Sequence, residues 1–424
     1  MTAGQRPGET RPTLARGRKI SHGSEVEAPT TELFAPIAEV DMRASIRPTV
    51  AEVDLGAIVR NVDRIASMVG GAAVWAVIKA DAYGHGAVPV ARALANHCPA
   101  LAVSLVEEAL ELRAAGIPAP IMVLSAYYDR CHGQVLDERL TPVVYDDADV
   151  ELFSRAATAR RRVVDFYLKI ETGMNRLGIE PRRLGSVLDR IGQLPGVRLA
   201  GLCTHFACAD SPDIAPTTRA LAVFEGCLAE ASRRGLSTLL NHAANSAAAI
   251  RFPAARFQAV RPGLALYGAM SSAVVQVPSL EPALRLATRI MALHDVAAGA
   301  TVSYGGEWRA TRPSVIATLP IGYADGYPRH VRGAEALLHG KRVGIVGAVC
   351  MDMMMVDVTD VPRAGVGDEI TLIGKGAAPG NGRGPEEGDS AAPITVDELA
   401  AWAGTINYEI LSGISKRVPR VYKV

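Results

Sequence analysis

Between residues 50 and about 285 the chain repeats one unit: a short apolar run, a turn, and an amphipathic stretch. The apolar runs lie at 74–79, 100–105, 120–125, 141–145, 163–170, 197–204, 237–241 and 257–261. Their length and content suit strands buried on both faces, as in parallel sheets. Between them, Glu107–Ala115, Arg182–Gln193 and Arg219–Arg234 carry apolar residues near helical spacing. Asp54 stands as an N-cap before a first helix bearing Leu55, Ile58, Val62, Ile65 and Val69. Eight strands in strict alternation with helices constrain the chain to an α/β class. A closed (β/α)8 TIM-like barrel fits better than an open doubly wound sheet. No Gly-x-Gly-x-x-Gly follows a strand, which counts against a nicotinamide dinucleotide.

Past about residue 285 the alternation stops. Short Val-, Ile- and Thr-rich runs follow at 289–296, 314–319, 336–338, 341–348, 353–358 and 369–373, punctuated by glycine turns. We therefore expect three parts: a disordered extension over 1–47, a barrel over 48–285, and a β-rich domain over 286–424. A polar Gly- and Pro-rich stretch at 376–393 reads as a flexible loop, and a helix over Val396–Ala403 follows it.

A formal net charge of +1 over 424 residues gives no reason to expect a nucleic acid or an anionic membrane as partner. No apolar run approaches the ~18 residues of a membrane span. Six cysteines without CxxC or zinc-ligand spacing point to reduced thiols in a cytoplasmic protein. No metal is expected.

In such a barrel the chemistry belongs just beyond the strand ends. There stand Lys79 after the first run, Asn245 and Ser246 after the seventh, and Arg261 and Gly263 after the eighth. The seventh and eighth loops are where barrels often hold phosphate. On residues alone, Lys79 reads equally as a strand cap or as an amine nucleophile activated by desolvation. Asn245-Ser246, taken alone, reads more readily as an ordinary helix cap.

Longer strings break the tie. Val77-Ile78-Lys79-Ala80-Asp81-Ala82-Tyr83-Gly84-His85-Gly86 resembles the pyridoxal-phosphate attachment segment of alanine racemases. His242-Ala243-Ala244-Asn245-Ser246 is similar to their phosphate-contact segment, and Val260-Arg261-Pro262-Gly263-Leu264 to the segment with their pyridine-facing arginine. Lys169-Ile170-Glu171-Thr172-Gly173-Met174-Asn175-Arg176 resembles the substrate-carboxylate segment, although Glu171 stands where aspartate is expected. Thr204-His205-Phe206-Ala207, Val302-Ser303-Tyr304-Gly305-Gly306, Ile321–Arg329 and Cys350-Met351-Asp352 fall in family order as well.

The resemblance implies pyridoxal 5'-phosphate as cofactor, joined to Lys79. Tyr83, Asn245, Ser246, Gly263, Leu264 and Tyr408 would lie about its phosphate, with His205 and Arg261 at its ring. Arg176 and the Met351 backbone would hold the substrate. Lys169 matches a position that is often carbamylated. Asp210, Tyr323, Arg329 and Ile406 would line an access channel. Inversion needs a base on each face of Cα, and the implied pair is Lys79 and Tyr304. A phenol ordinarily ionises near ~10, so such a base needs basic neighbours; His205 and Arg261 are candidates. In the family the tyrosine comes from the other subunit, which implies a homodimer. The implied reaction interconverts L- and D-alanine and supplies D-alanine for peptidoglycan. A serine or broad-specificity racemase would share these strings. A non-catalytic cofactor-binding or homeostasis protein would share the Lys79 segment but has no need of Tyr304. A decarboxylase of this architecture would place an acid where Arg261 stands.

Overall fold

Asp54 caps its helix as expected: its Oδ1 accepts from the Ala57 N–H at 2.7 Å, and Leu55–Met68 buries Ile58, Val62 and Ile65. Asn61 on the same face is fully buried and fully bonded. Its Nδ2 donates to the Leu266 and Glu281 carbonyls, and its Oδ1 accepts from the Glu281 N–H. A buried amide satisfied on both ends fixes this helix against the chain after the last barrel strand.

The computed structural model describes residues 46–376 and 391–424, apart from 126, 238, 273 and 276. Most of the expected disordered extension, and most of the expected loop at 376–393, lie outside the described residues. Arg47, at the end of that extension, is placed. It ion-pairs with the buried Asp325 at 2.7 Å and donates to the Arg417 carbonyl.

The strands are β1 (Val50–Asp54), β2 (Ala73–Val77), β3 (Ala100–Val103), β4 (Ile121–Val123), β5 (Leu140–Val144), β6 (Val164–Lys169), β7 (Val197–Cys203) and β8 (Ala259–Val260). Then come β9 (Leu284–Arg289), β10 (Ala292–Val296), β11 (Thr301–Val302), β12 (Trp308–Arg309), β13 (Ser314–Leu319), β14 (Glu335–Leu338), β15 (Lys341–Val346), β16 (Met354–Asp357), β17 (Glu369–Ile373) and β18 (Arg420–Lys423). One sheet runs β7-β6-β5-β4-β3-β2-β8, parallel throughout, with helices between. It closes through single bridges from Cys203 to His242 and from His242 to Ala259. This is the expected TIM-like barrel.

The expected strand at 237–241 does not form among its described residues; the neighbouring His242 makes the bridges instead. Backbone bonds remain there, from the Leu240 N–H to the Ala200 carbonyl and from the Gln258 N–H to the Asn241 carbonyl, but side chains share the pairing. The Leu202 N–H donates to Asn241 Oδ1, and the Asn241 N–H donates to Gln258 Oε1, so neither bond goes from backbone to backbone.

A second sheet is ordered β10-β13-β16-β15-β14-β17-β9-β1-β18. It holds the expected β-rich domain together with β1, which precedes the barrel in the chain. β1 lies antiparallel to β9 and parallel to β18. The helix Val396–Ala403 forms where expected. Both sheets fall within one compact unit. None of the described helices is long and apolar enough to cross a membrane.

Candidate active site

Lys79 does not end a strand. β2 stops at Val77, and Lys79 opens a short helical turn to Gly84. Ala80, Asp81, Ala82 and Tyr83 all hold φ near +52° and ψ between 41° and 52°. Four non-glycine residues in the left-handed region carry a cost of roughly 1–2 kcal/mol each. Such a turn persists only where its surroundings over-determine it, and here they do. The Gly86 N–H donates to the Asp81 carbonyl and the Ala87 N–H to the Asp81 carboxylate. His85 Nδ1 bonds the Ala82 and Tyr83 carbonyls at 3.0 Å each. Burial pulls the pKa of this histidine down to about 4, so the ring is neutral and its Nδ1–H is the donor. The ring stacks on Tyr267 at 4.4 Å.

The β domain closes over the turn from the other side. Arg420 Nε donates to the Gly84 carbonyl at 3.1 Å. Gly84 has φ +80°, and a Cβ there would meet the Leu411 carbonyl oxygen at 2.1 Å. Only glycine combines that conformation with that approach. The lysine is thus held at the barrel mouth, half-buried. Burial lowers its pKa and the nearby Arg176 lowers it further, while Glu108 acts the other way.

Arg261 leaves the end of β8 fully enclosed. Its Nη1 donates to His242 Nδ1, and its Nη2 to the carbonyls of Thr204 (2.7 Å) and Ala243 (3.3 Å). Arginine carries no acceptor, so His242 Nδ1 must be the acceptor and the ring proton sits on Nε2. Burial, then Arg261 itself, holds the pKa of His242 well below its usual value. The His242 ring packs against Trp75 and Tyr167 at 4.8 and 4.7 Å. Three bonds therefore lock the guanidinium and leave its Nε–H unclaimed among the described residues. His242 opens the phosphate-contact string, but the sequence gives it no role of its own. A strand-end histidine in an apolar setting was its only signal.

Beside Arg261, Ser246 Oγ gathers the N–H groups of Gly263 and Ala265 at 3.0 and 3.3 Å. Asn245 caps the following short helix by accepting from the Ala248 N–H. Tyr83 turns its hydroxyl to Gly263, where an added Cβ would sit 2.2 Å from it. Tyr408, on the helix Asn407–Gly413, lies with its ring 5.9 Å from that of Tyr83. Burial raises the pKa of Tyr408, a hydrogen bond with Ser271 opposes this, and Asp210 adds to the rise.

On the opposite wall, Lys169 ends β6, buried, and Cys203 stands opposite it at the end of β7. Burial lowers the pKa of Lys169; Arg176 and Arg261 add to this, and Cys203 and Glu171 oppose it. Glu171 anchors the Arg176 loop through the Gly173 and Arg176 N–H groups. The departure from aspartate thus still serves a turn. His205, after β7, faces Arg261, Lys169, Arg176 and Lys79; burial and these cations keep its pKa well below the ordinary value. Lys79, Tyr83, Lys169, Arg176, His205, Ser246, Arg261 and Gly263 are brought to one mouth.

Tyr304 is not among them. It stands 73% exposed in a turn of the β domain, with no hydrogen bond, ion pair or ring contact to a described barrel residue. Met351 and Ile406 are 53% and 59% exposed, and Tyr323 and Arg329 are exposed too. The Met351 and Tyr323 segments form one unit, since the Tyr323 and Ala324 N–H groups donate to the Cys350 and Met351 carbonyls at 3.0 Å.

The residues present fit pyridoxal phosphate. A buried cation with an N–H unclaimed among the described residues could serve a ring nitrogen. A hydroxyl-and-amide cradle, walled by a tyrosine against a glycine, suits a phosphate, and an amine of lowered pKa stands at the mouth.

Comparison with known proteins agrees. Residues 53–271 match the family described as alanine racemase, N-terminal domain, and residues 283–422 its C-terminal domain. An alanine racemase of Sorangium cellulosum is 44% identical, over 89% of this chain and all of that one. One of Desulfovibrio desulfuricans is 38% identical over 89% and 98%. The solved alanine racemase of Streptomyces coelicolor superposes with a TM-score of 0.82 at 35% identity, covering 90% of this chain and 99% of that one. The Bacillus anthracis structure with bound L-Ala-P gives 0.81 at 36% identity, over 90% and 96%. With its barrel, its β domain and its lysine-bearing mouth matched along nearly the whole described length, the chain belongs to the alanine racemase family.

Proposed function

We propose that this protein interconverts L- and D-alanine by a two-base proton transfer with pyridoxal 5'-phosphate as cofactor. The observation that carries the reading is the locked Arg261, whose Nε–H is aimed by His242 and two carbonyls rather than by a carboxylate. When bound, the cofactor supplies an electron-withdrawing ring that acidifies the Cα–H of an attached amino acid. Arg261 keeps its own proton and can only donate to the ring nitrogen. That arrangement moderates the electron withdrawal and confines the chemistry to proton transfer at Cα. Ser246, Tyr83, Tyr408 and the Gly263 and Leu264 backbone hold the phosphate, with Asn245 capping the helix that presents Ser246. Arg176 takes the substrate carboxylate with its planar fork, assisted by the Met351 backbone. Lys79 Nζ moves a proton on one face.

The second base is Tyr304, delivered by a second copy of the chain. The cluster of exposed Tyr304, Met351, Tyr323 and Ile406 supports this, since groups meant for a partner's site stay uncovered in one chain. Asp210, Tyr323, Arg329 and Ile406 line the approach. Unpaired cysteines suit a cytoplasmic setting, and the product suits peptidoglycan synthesis.

Lys169 is proposed to be carbamylated. Its lowered pKa favours the neutral amine, which attacks CO2, forms an N–C bond and releases one proton. The resulting anion would lie between Arg176 and Arg261, turning repulsion into attraction. Carbon-13 NMR in labelled bicarbonate should show one carbamate signal that Lys169→Arg loses; no difference between the two proteins removes the modification.

The test of function is incubation with L-alanine, and in parallel L-serine, in D2O with added pyridoxal phosphate. Rapid D-alanine formation with deuterium at Cα is expected, and alanine faster than serine. A faster serine reaction would make it a serine racemase. No exchange with either, despite bound cofactor, would favour a cofactor-carrying protein.

A further inference from the structure

The turn that carries Lys79 begins with a bond to a residue outside the site described so far. Glu108 lies in the helix Val106–Ala114 that follows β3. Its Oε1 accepts from the Ala80 N–H at 2.6 Å, and its Oε2 accepts from the Ser104 and Leu105 N–H groups at 2.7 and 3.0 Å. The Ala80 nitrogen belongs to the peptide that directly follows Lys79. One side chain therefore clamps the first peptide of the left-handed turn to the chain leaving the next strand. Three donors converge on two oxygens, and only a carboxylate offers acceptors on both. Glutamine would turn an NH2 group toward one set of donors.

The Glu108 charge also faces the lysine. The charged and titratable groups around the Lys79 amine are Arg176 from the loop after β6, His205 from the loop after β7, and Glu108 from this helix. Glu108 is the one that favours the ammonium, against Arg176 and burial.

We propose that Glu108 is a positioning residue: it fixes the peptide after Lys79, and so the direction of the lysine side chain, while balancing Arg176 at the amine. The importance for racemisation rests on the function proposed above; the effect on Lys79 itself does not.

The test follows Lys79 in the cofactor-free full-length protein, by competitive acetylation across a pH series with mass-spectrometric readout of each lysine. In Glu108→Gln the labelling midpoint of Lys79 shifts to lower pH while that of Lys341, on β15, stays in place. Hydrogen exchange of the Ala80 amide rises by about tenfold or more, as for loss of a hydrogen bond to a charged group. In the holoenzyme kcat falls while KM changes little. Glu108→Asp keeps the charge but not the reach, so it restores the labelling midpoint and not the Ala80 protection. A merely structural glutamate would lower yield or stability without moving the Lys79 midpoint. An unmoved midpoint with unchanged Ala80 exchange in Glu108→Gln overturns the proposal. Absence of racemisation by the wild-type protein would instead overturn the function, and the labelling result would stand apart from it.

Discussion

Lys79→Ala is expected to lower kcat/KM for alanine by about four orders of magnitude or more, because it removes both a general base and the covalent anchor. The loss should come without unfolding. The left-handed turn is built from backbone bonds to Ile78, Asp81, His85 and Glu108, none of which uses the lysine side chain. Pyridoxal phosphate should still bind, since Ser246, Tyr83 and the Gly263 backbone are untouched, but only reversibly. Borohydride reduction followed by peptide mapping separates the two contributions. The wild-type protein should carry the label on the peptide containing Lys79, and the variant on none. A variant that still traps cofactor on a lysine would transfer the role elsewhere, and Lys169, the other lysine at this mouth, would be the first place to look.

The barrel was legible because its signal is local and repeated. Each buried strand announces itself as an apolar run, and each helix as a 3.6-residue stripe. The conformation at Lys79 was not. Ala-Asp-Ala-Tyr has no glycine to advertise four consecutive positive φ angles, and the turn exists because distant groups hold it. The same holds for β1. Its alternation said strand, but its partners, 235 and 369 residues away at Ala51↔Leu286 and Ala51↔Arg420, cannot be read from neighbours. The run at 237–241 had the weakest signal, with Leu239 and Leu240 as its only apolar residues, and the side chains of Asn241 and Gln258 share its pairing with the backbone. At the site, most residues proposed to touch ligand sit in recognisable strings. Residues that act through another side chain are not marked as such: His242 opens a string that says nothing of its place behind Arg261, and Glu108 behind Lys79 lies in no string at all.

Tyr304→Phe is expected to slow both directions of racemisation by about a hundredfold or more, the usual weight of one acid–base group, while cofactor attachment to Lys79 stays normal. In D2O the variant should still exchange the Cα proton on the Lys79 face, so washout should outrun inversion for the enantiomer that Lys79 deprotonates. The sharper question is which chain supplies the tyrosine. In one chain Tyr304 is 73% exposed and has no hydrogen bond, ion pair or ring contact with a described barrel residue, so a site made in cis would need the turn to travel to the mouth. A site made in trans needs only a two-fold partner. Mixing Lys79→Ala with Tyr304→Phe, dissociating and reassociating the chains, decides between them. If the tyrosine acts in trans, each mixed dimer has one site with both bases intact and one with neither. Random pairing should then restore about a quarter of wild-type activity from two nearly inactive proteins. If it acts in cis, no pairing puts Lys79 and Tyr304 in the same site, and the mixture stays as inactive as its components. Recovery that appears on mixing and scales with the fraction of mixed dimer would make the shared site, and with it the dimer, a requirement of the chemistry.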